Sequence, residues 1–268
     1  RKGILIVTTD KVITERDGAI GRMIFNNPAK HNAVSSDMWA AVGTIMNDLN
    51  NDDAIRVVIV SGAGRKAFVS GADISKFEDE RADAEAEAKY HLLNRSAREK
   101  LSNAPKPTIA MIRGYCIGGG VGTAMACDMR ICSDNARFAI PAARLGVGYY
   151  YDDIKKLTDL IGPSFTKEIF FTARQFDAIE ARDMGLVDRI VPDGELDDYV
   201  KNYADTIAAN APMTIAAVKK SVIEGAKDPN DRDVALCDEM VDICNASEDY
   251  AEGRQAFMEK RKPVFIGR

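Results

Sequence analysis

Two glycine-rich loops carry the groups best suited to chemistry in this chain of 268 residues. The first reads Phe68-Val69-Ser70-Gly71-Ala72-Asp73-Ile74, and the second Gly114-Tyr115-Cys116-Ile117-Gly118-Gly119-Gly120-Val121-Gly122. Glycine lets a backbone approach a ligand closely. A helix start adds unpaired N–H groups at the positive end of its dipole. Two such loops can converge on a developing oxyanion. A Gly-Gly-Gly run alone more often serves tight packing than catalysis. The spacing fits neither a P-loop, which needs GK[ST], nor a clean GxGxxG followed by an acidic ribose partner.

Acid–base groups are the second resource. There are 41 Asp and Glu against 36 Lys and Arg, a formal charge of −5 that argues against a nucleic-acid-binding module. The only histidines are His31 and His91, which rules out a multi-histidine metal site within one chain; no metal is expected. Carboxylates are therefore the first place to look. Asp152 and Asp153 precede Ile154-Lys155-Lys156-Leu157, where helix N-capping competes with a catalytic role. For His91, four residues before Arg95 on a probable helix, the competing role is a solvated side chain. Asp73 and Asp128 suit turn fixing or capping better than catalysis. The five cysteines (Cys116, Cys127, Cys132, Cys237 and Cys244) form no CxxC, so buried reduced thiols of a cytoplasmic protein are expected.

The elements that must position these groups alternate. Residues 3–7 and 19–25 read as strands, and Ser35 or Ser36 can cap a helix running to about Leu49. Residues 56–60 and 108–112 are short β-branched runs of the kind buried on both faces of a sheet. Each leads into a glycine-bearing loop and then a helix-compatible segment, the signature of an α/β fold with parallel pairing. Residues 78–100 begin acidic and Ala-rich, which reads as a solvated helix or as a flap over a pocket. From Asp152 onward the chain is mostly helical, with a stop at Gly162-Pro163. A soft boundary near Asn210-Ala211-Pro212 separates a core of residues 1–209 from amphipathic helices in residues 210–268. Those helices must pack on the core or on another subunit. No run reaches the roughly 18 apolar residues of a membrane span, and residues 1–7 lack a signal-peptide cleavage pattern.

Together the motifs resemble the crotonase superfamily, also called the enoyl-CoA hydratase/isomerase family. The matching pieces are Asn27-Pro28-Ala29-Lys30-His31-Asn32-Ala33, residues 68–74, 107–128 and 138–146, Phe171-Thr172-Ala173, and Ala181-Arg182-Asp183-Met184-Gly185-Leu186-Val187-Asp188. The resemblance implies a spiral of ββα units with a C-terminal helical region that drives trimers, often paired into hexamers. It implies an acyl-CoA ligand, with coenzyme A as part of the substrate and no separate cofactor, in fatty acid metabolism. The backbone N–H groups of Ala72 and Gly119 would hold the thioester oxygen. Such donors bind that oxygen most strongly when it is charged and so favour the enolate-like transition state. Lys30, Ala33, Ser70, Ala72, Asp73 and Ile74 would line the CoA path, and Phe257 and Lys260 could reach a neighbouring subunit's CoA.

The same resemblance exposes two departures. Family hydratases place one Glu two residues after the Gly-Gly-Gly run and another directly after the next motif's Pro; this chain has Gly122 and Ala142 there. Hydration needs carboxylates to hold water and move protons at adjacent carbons. The segment Leu145-Gly146-Val147-Gly148-Tyr149 is similar to methylmalonyl-CoA decarboxylases, and Tyr149 could orient a leaving carboxylate. The expectation is therefore a lyase- or hydrolase-type reaction, decarboxylation or C–C/thioester hydrolysis, with Tyr149 and Asp152 as side-chain catalysts. Hydrolysis requires a base for water, and Asp152, Asp153 or His91 are the candidates. The alternatives are a hydratase or isomerase with relocated carboxylates, and a non-catalytic CoA-binding scaffold.

Overall fold

The structure is a computed structural model that describes residues 9–76 and 83–268. It opens with an antiparallel hairpin, β1 (Val12–Asp17) and β2 (Ile20–Phe25), followed by helix α1 (Ser36–Asn51). Three strand–strand–helix units follow: β3 (Val57–Gly62), β4 (Ala67–Val69) and α2 (Ala84–Ser102); β5 (Thr108–Ile112), β6 (Tyr115–Ile117) and α3 (Gly119–Met125); β7 (Met129–Ser133), β8 (Arg137–Ala139) and α4 (Ala142–Leu145). Then come α5 (Tyr151–Thr172), β9 (Phe176–Asp177), α6 (Ala178–Asp183), β10 (Arg189–Val191) and α7 (Leu196–Ala208). The chain ends in α8 (Pro212–Gly225), α9 (Val234–Asn245) and α10 (Glu248–Glu259), with Asn210 and Ala211 between α7 and α8.

In each unit the first strand joins one sheet and the second joins another. Among the described residues the large sheet runs β1-β2-β3-β5-β7-β10 and the small one β4-β6-β8-β9. Apart from the β1–β2 and β8–β9 pairs the ladders are parallel. This is the α/β spiral of ββα units that the motifs imply.

The β-branched run of β3 shows why the large sheet is apolar throughout. Val58 and Val60 face the core shared with α1, α2 and the small sheet, whereas Val57 and Ile59 face α7 through Val200 and Ala204. A strand with period-two side chains and two covered faces has no polar positions to offer. β1 is the opposite case. Its Thr14-Glu15-Arg16 is exposed at the sheet edge, so the alternation that signals a strand is missing, and only pairing with β2 reveals it. The strand expected over residues 3–7 lies outside the described residues, as does the start of the acidic stretch. The helix expected later in that stretch is α2, whose first turn is capped by the Asp83 side chain accepting from Ala86 N–H at 2.8 Å. The expected stop at Gly162-Pro163 is a kink inside α5, where Gly162 has φ 77° and ψ 165°.

Charged clamps fix the strand ends. Arg113, just past β5, is buried and donates to the Asp193 carboxylate at 2.6 Å and to Asp197 at 2.7 Å, tying the large sheet to the start of α7. Arg56 donates to Ala208 O at 3.1 Å and also to Phe265 O, and Asp249 accepts from Ile266 and Gly267 N–H at 2.6 and 2.9 Å, so the C-terminal tail folds back. Cys116, Cys127 and Cys132 are buried and unbridged. Burial pushes the Cys127 and Cys132 thiols up to about 12, which removes them as nucleophiles. Among the described residues no helix is long and apolar enough to cross a membrane.

The hydrogen bond from Arg65, aided by Arg113 and opposed by partial burial, holds the Asp193 carboxyl below its ordinary value. A depressed carboxylate stabilises the fold above the ordinary carboxyl range and loses that contribution as pH falls through its folded value. Asp193→Asn is expected to cost about 1–3 kcal/mol at pH 7 and to flatten the acid limb of the stability curve. Urea unfolding at pH 7 and pH 3.5 checks this, with the wild-type advantage shrinking at the lower pH.

Candidate active site

The small sheet brings the two glycine loops together. β4 and β6 pair in parallel, Ala67 with Tyr115 and Val69 with Cys116, so the residues that follow each strand emerge side by side. Gly120 permits the approach, because a Cβ there would stand 2.1 Å from Val69 O. A Cβ at Gly119 would lie 3.9 Å from the Gly71 Cα, which measures how closely the loops converge. Gly118, at φ 55°, turns the chain into α3.

Ala72 is held by its neighbours. Val34 N–H donates to Gly71 O at 2.8 Å, and Asp73 N–H donates to Val34 O at 3.0 Å. Both bonds of that parallel bridge leave the Ala72 N–H out. Gly119 is the first residue of α3, and the helix's own hydrogen bonds begin with Val121 and Gly122 donating to Gly118 O. Its N–H is one of the donors a helix start leaves unpaired. Ala72 and Gly119 line the same cavity of about 200 Å³. The arrangement is that of a two-donor cradle for an oxyanion.

The Asn27–Ala33 motif braces the cradle. Asn32 is fully buried at φ 56°; its Oδ1 accepts from Asn27 N–H at 2.9 Å and its Nδ2 donates to Ala63 O and Ala67 O at 3.0 and 2.8 Å. Ser70 N–H donates to His31 O at 3.2 Å. Ser70 lines the cavity; Ala33 is buried behind it and does not. Lys30 donates to both Asp73 oxygens at 2.9 and 3.2 Å and to Ser75 Oγ, so its ammonium is engaged within the chain. Burial pushes the Asp73 carboxyl up, but Lys30 and Ser75 outweigh it and leave it below the ordinary carboxylate value. Asp73 is thus an ionised turn anchor, and the backbone of Ile74 starts the short 3-10 turn after it. Asp128 likewise accepts from Thr108 N–H at 2.7 Å and Lys219 Nζ at 2.7 Å.

The cavity wall departs from the sequence expectation in its carboxylate. Asp153, not Asp152, lines the cavity with Ala72 and Gly119. The two residues lie in the first turn of α5, whose N-cap is Tyr150, and successive helix positions point about 100° apart. Asp152 is half exposed, pairs with Arg95 at 3.0 Å and lines an adjoining cavity instead. Asp153 pairs with Arg98, Nη1 to Oδ1 at 3.1 Å and Nη2 to Oδ2 at 3.2 Å. Arg98 was missed from the sequence, as was Asn94; both come from α2, which also supplies Tyr90 and His91 to the wall. His91 Nε2 lies 2.8 Å from Glu87 Oε1, and its ring meets Tyr150 edge-on at 5.1 Å. α2 therefore presents one side to the cavity, while Leu92, Arg95 and Ser96 on it are exposed.

Gly122 and Ala142 both line the cavity. The space beside Gly122 is filled by Arg98: a Cβ at 122 would stand 2.3 Å from Arg98 Nη1. A glutamate there would have to displace the guanidinium. Tyr149 lines the cavity and packs edge-on against Phe170 at 5.0 Å, with its hydroxyl 3.8 Å from where a Gly118 Cβ would stand. Phe257, in α10, and Lys260, the residue that caps its C-terminus, do not line this cavity within the chain. Among the described residues no three His, Cys, Asp or Glu converge as metal ligands.

Comparison with known proteins bears on the family and the fold. The Enoyl-CoA hydratase/isomerase family pattern matches residues 15–268. A short-chain-enoyl-CoA hydratase from Clostridium acetobutylicum is 34% identical over 253 residues, 94% of this chain and 96% of that one. A carnitinyl-CoA dehydratase from Escherichia coli O157:H7 is 33% identical over 258 residues, 94% of this chain and 97% of that one. The crystal structure of an enoyl-CoA hydratase/carnithine racemase from Magnetospirillum magneticum superposes with a TM-score of 0.92 at 36% identity, covering 97% of each chain. Motifs, fold and relatives agree that this chain belongs to the enoyl-CoA hydratase/isomerase family of the crotonase superfamily.

Proposed function

We propose that the protein catalyses the reversible hydration of a short 2-enoyl-CoA, with the missing glutamates replaced by groups from α2 and α5. The observation that carries this reading is Asp153 lining the same cavity as the Ala72 and Gly119 donors. The two peptide N–H groups receive the thioester oxygen and favour the enolate as its charge grows. Asp153 accepts a proton from water while the water oxygen bonds to C3 and the C2–C3 π electrons move into the enolate. His91, held by Glu87, supplies the proton that C2 takes as the enolate collapses. Arg98 fixes the Asp153 carboxylate through two hydrogen bonds, a geometry that aids precise placement. A cavity of about 200 Å³ suits a small acyl group.

The names of the relatives support hydration or dehydration over the decarboxylation or C–C/thioester hydrolysis expected from the absent glutamates. The local likeness around Tyr149 gives way to the likeness of the whole chain, and Tyr149 becomes a wall residue packed on Phe170. The Asp152 role passes to its neighbour. Loss of absorbance by crotonyl-CoA at an ordinary enzyme rate of about 1–10³ per second is expected. Asp153→Asn should lower kcat by about 100-fold or more. An equal loss in Asp152→Asn would overturn the assignment. Turnover of a malonyl-type ester in place of crotonyl-CoA would restore decarboxylation, and CoA binding without turnover of any ester would favour the scaffold.

The same reading includes a trimer, or a pair of trimers, built through α8–α10, in the cytoplasm where reduced thiols persist. Val222, Phe257 and Met258 are 67%, 82% and 80% exposed in the single chain, and an open apolar depression runs between these helices. Apolar surface of that extent marks a contact face. In such an assembly Phe257 and Lys260 are placed to reach a neighbour's CoA. Sedimentation velocity should give a trimeric or hexameric mass, and Val222→Asp with Met258→Asp should shift it toward the monomer. A monomeric wild type would overturn the assembly.

A further inference from the structure

Two buried aromatic side chains in the cavity wall carry polar atoms that the proposed reaction does not use. Trp39 on α1 and Tyr90 on α2 are 2% and 3% exposed, and both line the cavity with Ala72 and Gly119. Trp39 Nε1 lies 3.1 Å from the Tyr90 hydroxyl oxygen, which lies 3.5 Å from Val34 O. The groups themselves set the direction of both bonds. An indole N–H only donates and a carbonyl only accepts, so the hydroxyl accepts from Trp39 and donates to Val34.

Val34 is where this relay meets the cradle. Its N–H donates to Gly71 O at 2.8 Å, and its carbonyl also accepts from Asp73 N–H at 3.0 Å. Gly71 O and the Ala72 N–H are opposite ends of one planar peptide, so whatever holds the first aims the second. The Val34 carbonyl is held in turn by the Tyr90 hydroxyl. The indole reaches the other donor. Its Cζ2 lies 4.0 Å from where a Gly119 Cβ would stand, and its ring meets Phe25 edge-on at 6.4 Å. Packing alone would be served by phenyl rings. A buried hydroxyl and indole N–H carry a desolvation cost that their hydrogen bonds offset, so their polar atoms act through those bonds. We infer that Trp39 and Tyr90 are positioning residues for the cradle: Tyr90 aims the Ala72 N–H through Val34, and the indole steadies both Tyr90 and Gly119. The inference rests on reading Ala72 and Gly119 as the donors to a thioester oxygen, and it holds whichever reaction follows.

Butyryl-CoA, isotopically labelled at its thioester carbonyl carbon, tests this without turnover, because it has no C2–C3 double bond to hydrate. Hydrogen bonds to the thioester oxygen weaken the C=O bond and lower its stretching frequency, which infrared difference spectroscopy reads. The wild type should hold that frequency below its value in water. Tyr90→Phe should return it at least halfway, while calorimetric affinity stays within about threefold. With crotonyl-CoA the same variant should lose about tenfold in kcat at a nearly unchanged KM. Trp39→Phe, which leaves the hydroxyl its bond to Val34 but removes the indole beside Gly119, should give a smaller rise in frequency and serves alone if Tyr90→Phe does not fold. Leu101→Val, a core change further along α2, should lower stability in urea and leave the frequency at the wild-type value. A wild-type frequency in both aromatic variants would overturn the inference. So would a Leu101→Val protein that raises it as far as Tyr90→Phe does, since a loosened helix would then suffice. A carbonyl at its water frequency in the wild type would overturn the cradle and this inference together. The expected frequencies in a protein that does not hydrate crotonyl-CoA would overturn hydration and support this inference.

Discussion

The proposed site depends on two peptide N–H groups from separate loops, those of Ala72 and Gly119, being brought to the wall of one cavity. That requirement reaches far into the chain. It needs β4 and β6 paired in parallel, a residue without a Cβ at Gly120 against Val69 O, and Asn32 pinning the first loop through Ala67 O. It also needs Val34 to grip the peptides on both sides of Ala72 while leaving that N–H out of the bridge. The large sheet adds no group to the chemistry. Its apolar strands supply the rigid base from which the short strands of the small sheet project, and packing at crystal-like density is what makes such a base stiff.

Where the family places a glutamate beside the second loop, this chain leaves a glycine and fills the space with a guanidinium from α2. Asp153, on the first turn of α5, meets that guanidinium at 3.1 Å. An unaccompanied arginine in this half-buried place would carry a desolvation cost, and its carboxylate partner offsets it. Gly122, Arg98 and Asp153 thus form one arrangement. A larger side chain at 122 would meet the guanidinium, and the guanidinium without Asp153 would lose its paired charge.

Much of the scaffold was legible in the residues. The β-branched runs of β3 and β5 announce strands buried on both faces, and the two glycine loops announce the cradle. The edge strand β1 was not legible, because Thr14-Glu15-Arg16 has one neighbouring strand and no face that must be apolar. The choice between Asp152 and Asp153 was not legible either. It depends on the helical phase set at Tyr150 and on an arginine from a distant helix. A signal for Asn94 and Arg98 did exist. Tyr90, Ala97 and Leu101 mark the buried side of α2, and Asn94 and Arg98 lie at helical spacing from Tyr90 along it. The heavy charge of the preceding residues concealed that face.

A second cavity of about 310 Å³ lies directly behind the first, and His91, Arg98, Gly122, Met125, Tyr150 and Asp153 border both. The residues they share include the Arg98–Asp153 ion pair and the edge-on rings of His91 and Tyr150. A wall of that kind is plastic under mutation in a way that the peptide cradle is not. Exchanging a side chain that borders both can change how the two chambers connect, while the Ala72 and Gly119 N–H groups belong to the backbone and stay in place.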